Sequence, residues 1–187
     1  GYIPMSFFLA YAVMSIPAGI MIEKLSEKTV LLIGFTMPFI GSLLFALIPC
    51  YPVLLASCFI IGLGMAMLQT VINPLTRVAG GEENFAFFSV MGQLVFGFAS
   101  FISPFVYSYL VRELTIPGTD KNFFINFLAG ITPEQLPWVS LYWVFTMILI
   151  VILLIVIGNR FPKMTLKDDE KSGSLTSYKT LLRNKYV

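Results

Sequence analysis

Residues 29–76 read TVLLIGFTMPFIGSLLFALIPCYPVLLASCFIIGLGMAMLQTVINPLT, and these 48 positions contain no Asp, Glu, Lys or Arg. A helix rises about 1.5 Å per residue and the hydrocarbon layer of a bilayer is about 30 Å thick, so about 20 apolar residues cross it once. One helix through the whole stretch would be about 70 Å long, more than twice that thickness. Pro49 and Pro52 interrupt it, because proline removes a backbone donor and clashes with the preceding turn. The stretch therefore predicts two membrane-spanning helices joined by a short turn.

Three further runs lack charged residues, and each has the length of one crossing: 1–22, 84–111 and 135–159. The composition agrees, because only 12% of the 187 residues are charged, against about a quarter in soluble domains. The runs also lack the alternation of barrel strands. We therefore predict an all-α membrane protein with five spans, at residues 4–22, 30–48, 52–76, 85–110 and 138–158.

Positive residues lie unevenly on the two sides of the predicted bundle. Ten of the Lys and Arg residues lie on the side of residue 187, and only Arg112 and Lys121 lie on the other. Because short loops rich in Lys and Arg remain cytoplasmic, we expect the chain to begin outside and end in the cytoplasm. The odd number of spans and a first residue other than Met indicate that an upstream helix is missing, so we expect a fragment. In the long outer loop, TPEQ at 132–135 predicts a helix start capped by Thr132.

Groups suited to catalysis or metal binding are scarce. The chain has no His, its two Cys do not form a CxxC pair, and every charged residue lies in or beside a predicted loop. An ionisable residue at mid-membrane would indicate a function, and none occurs. We therefore expect neither an enzyme nor a bound metal or cofactor. The net charge of +2 reflects the asymmetry between the two sides, so we expect no nucleic-acid partner.

Neutral polar side chains occur at helical spacing in two spans. Gln69 and Asn73 are four residues apart and would share one helix face. The next span carries a stripe at spacings of four, three, four and three, made of Ser89, Gln93, Phe96, Ser100 and Ser103. A sugar presents hydroxyls at its edge and C–H groups on its faces, so amides beside an aromatic ring suit it. The same amides suit hydrogen bonds between helices, and the residues alone leave both interpretations open.

The segment GIMIEKLSEK at 19–28 resembles the loop motif of the major facilitator superfamily, which lies between the second and third helices of that fold. The motif has a glycine, three residues, an acid, a base, any residue, a second glycine and two basic positions. The matching residues are Gly19, Glu23, Lys24 and Lys28. Ser26 replaces the second glycine and Glu27 replaces one basic residue. The resemblance implies a gating role for this loop.

Two longer segments are similar to the fucose permease and bacterial glucose/galactose transporter family within that superfamily. They are SIPAGIMIEKLS at 15–26 and GLGMAMLQTVINPL at 62–75. Gln93, TPEQL at 132–136 and RFP at 160–162 extend the likeness over nearly the whole chain in the same order. The resemblance implies that the five spans correspond to helices two to six of twelve. Residues 1–158 would then be a partial N-terminal-half bundle, and 159–187 a cytoplasmic linker toward a missing C-terminal half.

The same resemblance implies a secondary active transporter of the bacterial inner (plasma) membrane that binds a sugar centrally and works by alternating access. Gln69 falls where the proton-linked fucose permease has a membrane-embedded Glu, and Phe96 falls where it has Asn. Asn73 matches the Asn of an Asn-Pro pair, and Gln93 matches a polar residue on the fifth helix. We therefore expect these four residues to bind substrate, with glucose or galactose favoured over fucose.

Coupling of transport to H⁺ cannot use Gln69, because an amide does not take up a proton at physiological pH. Coupling, if any, would use the missing helices or another ion such as Na⁺. The expected partners are a small sugar, the lipid bilayer and the remaining helices of the same protein. Two alternatives stay open: an exporter of apolar compounds with the same topology, and a membrane scaffold or sensor that does not transport.

Overall fold

The computed structural model describes residues 1–116, 122–159 and 161, and these ranges form helices and turns without a strand. The helices are α1 (Tyr2–Lys24), α2 (Glu27–Leu47), α3 (Tyr51–Gly80), α4 (Phe85–Thr115), α5 (Phe123–Ile131) and α6 (Ser140–Gly158), with a 3₁₀ turn at Pro137–Val139 before α6. Five of them are long and apolar enough to cross a membrane, α6 together with the turn before it. The all-α fold with five spans is confirmed.

The turns between the first three helices are short, and their residues explain why. Only Leu25 and Ser26 separate α1 from α2, and the Ser26 hydroxyl accepts a hydrogen bond from the Thr29 N–H at 3.3 Å. This bond satisfies one of the free N–H groups at the helix start. Pro52 lies in the first turn of α3, where its missing N–H costs nothing. The turn predicted around Pro49 and Pro52 is confirmed.

α3 is the central helix, with α1 packed along one side and α2 along the other. Glycines permit these close approaches. A Cβ at Gly62 would lie 2.5 Å from the carbonyl oxygen of Phe7 on α1. A Cβ at Gly64 would lie 2.3 Å from Pro38 Cδ on α2. Any side chain at either glycine would therefore push two helices apart.

α6 packs against α2, and its residue Val156 shares a buried cluster with Val30 of α2 and Met67 of α3. The two helices run antiparallel, and the Thr146 hydroxyl donates a buried hydrogen bond to Ser42 Oγ at 3.0 Å. Nearer the α2–α3 turn, the ring of Phe45 lies 4.6 Å from that of Tyr142 and 5.6 Å from that of Trp138. These contacts join α1, α2, α3 and α6 into one bundle.

α4 is attached to this bundle differently. Near its start Phe88 lies beside Gly80, and near its end Leu110 packs in a small core with Ile125 and Leu128 of α5. Residues 90–109 between these contacts are all exposed. A cleft of about 370 Å³ lies between α4 and α6 and has a mainly apolar lining that includes Phe98 and Phe145.

The loop between α4 and α6 differs from the prediction at Thr132. This residue does not start a helix; it ends α5, and its N–H donates to the Leu128 carbonyl at 2.9 Å. The predicted helix start is wrong because the nine residues before Thr132 already form α5, and a turn follows Thr132. The predicted linker at 159–187 lies, apart from residues 159 and 161, outside the described residues.

Candidate functional site

Gln69 lies on the side of α3 that faces α1. The hydroxyl of Tyr11 on α1 donates a hydrogen bond to Gln69 Oε1. A second bond on the same seam runs from Ser6 Oγ to the Leu55 carbonyl at 2.7 Å, so α1 and α3 run parallel. Gln69 is exposed, and its NH₂ group makes no hydrogen bond to the described residues.

Asn73 lies one turn further along α3 and is also exposed. The helix is continuous from residue 51 to residue 80, so the predicted common face of Gln69 and Asn73 is present. Pro74 adds a polar group to this region, because it has no N–H to donate to the carbonyl of Thr70 one turn earlier. The open face of α3 therefore presents two amides close to a carbonyl without its helical donor.

Gln93 and Phe96 lie three residues apart in the exposed middle of α4. Phe96 is 66% exposed, and its carbonyl accepts a hydrogen bond from Ser100 Oγ at 2.9 Å. All four predicted substrate residues therefore lie on open helix faces, two on each helix. One cleft lies between the end of α4 and the loop after α5, and another lies between α4 and α6; both are lined by other residues. The joint role of Gln69, Asn73, Gln93 and Phe96 in binding a sugar stays a prediction.

The predicted gating loop consists of the end of α1, a two-residue turn and the start of α2. Gly19, Glu23 and Lys24 are in the last turns of α1, and both charged side chains are exposed. Ser26 has φ −69°, which any residue adopts without strain, so this position has no need of the glycine in the family motif. Ser26 caps α2 instead, which explains how the loop tolerates this departure.

Lys28 has a contact that the sequence did not predict. Its Nζ donates to the carbonyl of Ile157 at 2.6 Å and to that of Asn159 at 3.0 Å. The last carbonyls of a helix lack N–H partners and carry partial negative charge, so an ammonium group there is favourable. The final basic residue of the loop motif therefore holds the end of α6.

Tyr11 is the functional candidate that sequence reasoning missed. Within the first charge-free run, few side chains can form a hydrogen bond, and Tyr11 is one of them. Its partner is 58 positions away in sequence, so only packing of α1 on α3 reveals the pair. The useful signal was the presence of a phenolic hydroxyl in a membrane span, where a polar group needs a partner.

Comparison with known proteins gives a consistent picture. The model of the Major Facilitator Superfamily matches residues 1–187. The L-fucose-proton symporter of Escherichia coli (strain K12) is 27% identical over 191 residues, covering 95% of this chain and 42% of that protein. The glucose/galactose transporter of Brucella abortus is 25% identical over 179 residues, covering 94% of this chain and 42% of that protein. The chain thus spans less than half the length of these relatives.

Solved structures agree with the sequence matches. A crystal structure of the E. coli fucose:proton symporter FucP has a TM-score of 0.68 at 27% identity and covers 99% of this chain and 48% of that one. A crystal structure of FucP in the outward conformation has a TM-score of 0.67 at 26% identity, covering 96% of this chain and 46% of that one. All of these names describe transporters, and none describes an enzyme.

Proposed function

Since this chain belongs to the Major Facilitator Superfamily and forms a multi-pass membrane bundle, we propose that it is part of a secondary active transporter for a hexose. The observation that carries the proposal is the open face of α3. There Gln69 and Asn73 are exposed although the helix around them is apolar. An amide facing lipid is costly, so this face needs either water and a polar solute or polar groups from neighbouring helices.

The chemistry of this face favours a neutral solute with hydroxyl groups. Amides donate and accept hydrogen bonds, as hydroxyls do. Gln69, Asn73 and Gln93 lie in runs of sequence without Asp, Glu, Lys or Arg, so no charge in these runs would favour an ionic solute. An aromatic ring such as Phe96 suits the C–H face of a sugar. The four residues would form one wall of a central cavity, and alternating access would open it to each side in turn.

Relatives named for L-fucose and for glucose/galactose support a hexose as the substrate class. We favour glucose or galactose, because Gln69 and Phe96 both depart from the fucose permease pattern. The amide of Gln69 cannot carry a proton, so a coupling H⁺ would bind elsewhere in the complete gene product, or the coupling ion would be Na⁺. We propose that this transporter works without a bound metal or another cofactor, has no nucleic-acid partner and is not an enzyme.

The uneven distribution of Lys and Arg supports an orientation in a bacterial inner membrane. Lys24, Lys28 and Arg77 lie at the end of the bundle where α1 and α3 finish, and Arg112 lies at the opposite end. We infer that residue 1 is periplasmic and residue 187 cytoplasmic. Residues 1–158 would then belong to the N-terminal half, and 159–187 would lead to the rest of the protein.

The loop at residues 19–28 is proposed to gate the movement between outward-open and inward-open states. Glu23→Gln or Lys24→Met should slow exchange between the two states while leaving the Kd for the hexose within about twofold, because neither residue is near the α3 amides. Stopped-flow uptake and equilibrium binding separate the two effects. An equal loss of affinity would count against gating.

The exposed middle of α4 favours one rival, an exporter of apolar compounds. Phe96, Phe98, Phe101 and Phe105 are each more than 60% exposed there. Such a protein would use aromatic side chains, rather than amides, to line its cavity. The two functions therefore predict different substrates for the same fold.

Counterflow separates the two functions. The complete gene product would be reconstituted in liposomes and loaded with D-galactose, D-glucose or L-fucose, or with a lipophilic cation such as tetraphenylphosphonium. We expect a labelled hexose to accumulate against its unlabelled counterpart. Gln69→Ala and Gln93→Ala should each reduce this counterflow about tenfold or more at normal membrane insertion. Transport of the cation without hexose counterflow would support the exporter, and normal uptake by both variants would remove the site assignment.

A further inference from the structure

The α1–α3 seam fixes where Tyr11 can reach. Ala10 is fully buried, and a Cβ at Gly62 would lie 3.0 Å from its Cβ, so the two helices touch at this point. Gln69 follows Gly62 by seven residues, which is about two helical turns, and therefore lies on the same side of α3. The neighbouring residue Tyr11 extends its ring along α3 from this contact to the amide of Gln69.

The Tyr11 hydroxyl determines which atoms of Gln69 remain available. A glutamine side chain has one carbonyl oxygen that accepts and one NH₂ group that donates. Tyr11 donates to the carbonyl oxygen and occupies one of its two lone pairs, and the NH₂ group has no partner among the described residues. Without the phenolic hydroxyl the amide could rotate by half a turn about its last bond and present either end.

We propose that Tyr11 is a positioning residue that fixes the amide of Gln69 as a hydrogen-bond donor toward the transported hexose. This inference rests on the proposed function, because it assigns an orientation to one of the predicted substrate residues. Its chemical consequence is that the sugar atom beside the Gln69 NH₂ group accepts a hydrogen bond. A hydroxyl oxygen of the hexose fits, whereas a group that can only donate does not.

The first test is the Michaelis constant for D-galactose uptake, or for D-glucose or L-fucose if one of those is the better substrate. Tyr11→Phe removes only the hydroxyl, so we expect KM to rise about 3- to 10-fold with Vmax within about twofold. Tyr2→Phe is the matched control, because Tyr2 lies on the same helix, is exposed and should leave KM unchanged. KM does not depend on the amount of protein inserted, so weaker expression of a variant does not obscure the result.

The second test is the double variant. If Tyr11 acts through Gln69, then Tyr11→Phe combined with Gln69→Ala should have the KM of Gln69→Ala alone, within about twofold. A structural role for Tyr11 in the seam would instead make the two effects multiply. Independent effects would therefore overturn the proposal.

The third test compares sugar analogues, which a general loosening of the seam would not affect. In the unmodified protein, replacing the contacted hydroxyl with fluorine should be tolerated better than replacing it with hydrogen, because fluorine keeps a weak acceptor. In Tyr11→Phe this difference between the fluoro and deoxy sugars should shrink. An unchanged difference in Tyr11→Phe contradicts the positioning role.

The outcomes distinguish the inference from the function on which it rests. If the unmodified protein transports none of the three hexoses, the proposed function fails. If it transports a hexose and Gln69→Ala impairs uptake while Tyr11→Phe has a normal KM, only the positioning role of Tyr11 is wrong. If Gln69→Ala is itself normal, Gln69 does not bind the sugar and Tyr11 has nothing to position.

Discussion

α3 and α4 are nearly equal in length, at 30 and 31 residues, but their surroundings differ completely. In α3 a Cβ at Gly62 or Gly64 would collide with the backbone of a neighbouring helix. In α4 a Cβ at Gly92 or Gly97 would meet nothing within 4 Å among the described residues. Gly62 and Gly64 of α3 therefore permit close helix packing within this bundle, whereas Gly92 and Gly97 of α4 pack against none of the described residues.

This difference has an energetic meaning. Glycine in a helix costs about 1 kcal/mol relative to alanine, so close packing has to offset it. In α3 the contacts with α1 and α2 supply this compensation. The middle of α4 lacks such contacts within residues 1–116 and 122–159. Length and apolarity define both helices as membrane spans, but only packing distinguishes them.

The largest expected effect is a difference in stability between two matched substitutions, one in α3 and one in α4. Gly64→Ala places a methyl group 2.3 Å from Pro38 Cδ and 2.6 Å from the Gly34 carbonyl oxygen, so we expect a loss of about 3 kcal/mol of stability. Gly97→Ala meets no described atom and should change stability by less than about 1 kcal/mol. Thermal melts of detergent-solubilised protein measure both. Equal losses would mean that another part of the protein packs on α4 as tightly as α2 packs on α3.

A smaller effect is expected from the buried hydrogen bond between α2 and α6. Thr146→Val should lower stability by about 1 kcal/mol, because it removes the hydrogen bond between α6 and α2 and leaves the Ser42 hydroxyl without its Thr146 partner. Ser100→Ala on α4 is the control, since the Ser100 hydroxyl is exposed and bonds only within its own helix. Equal effects at the two sites would contradict the distinction between a packed bundle and an open α4.

The smallest effect concerns the loop at the end of the bundle. Lys28→Met removes the ammonium group that holds the last carbonyls of α6, so we expect a loss of about 0.5 kcal/mol and faster amide exchange at the end of α6. Lys24→Met, at an exposed position, should leave exchange at α6 unchanged. Hydrogen exchange followed by mass spectrometry measures both. If amide hydrogen exchange at the end of α6 is unchanged in Lys28→Met, the contact with Lys28 does not stabilise the end of that helix.

The membrane spans were predictable from sequence because apolar length is a local property. The charge-free runs locate all five spans, although α3 continues to Gly80 and α4 to Thr115, past the charged residues Arg77 and Arg112. Both helices extend beyond the apolar runs, where charged side chains are no longer costly. α5 was missed because nine residues are too few to cross a membrane.

The candidate site was predictable only within one helix at a time. Spacing places Gln69 and Asn73 on a common face, and the continuous α3 gives them that face. The partners of Gln69 and Lys28 lie 58 or more positions away, on helices whose contacts depend on packing. Periodicity reports which residues share a face, but it cannot report which helix that face meets.

The central claim is that the amide face of α3 borders a water-filled path that a hexose occupies, and cysteine labelling tests it directly. In the complete gene product with Cys50 and Cys58 replaced by serine, Asn73→Cys is exposed to a charged, membrane-impermeant thiol reagent. Ile155→Cys on the exposed apolar side of α6 is the lipid-facing control. We predict that Cys at position 73 reacts and is protected by a transported hexose, whereas Cys at position 155 does not react. Failure of position 73 to react, or reaction that no hexose slows, would contradict the account.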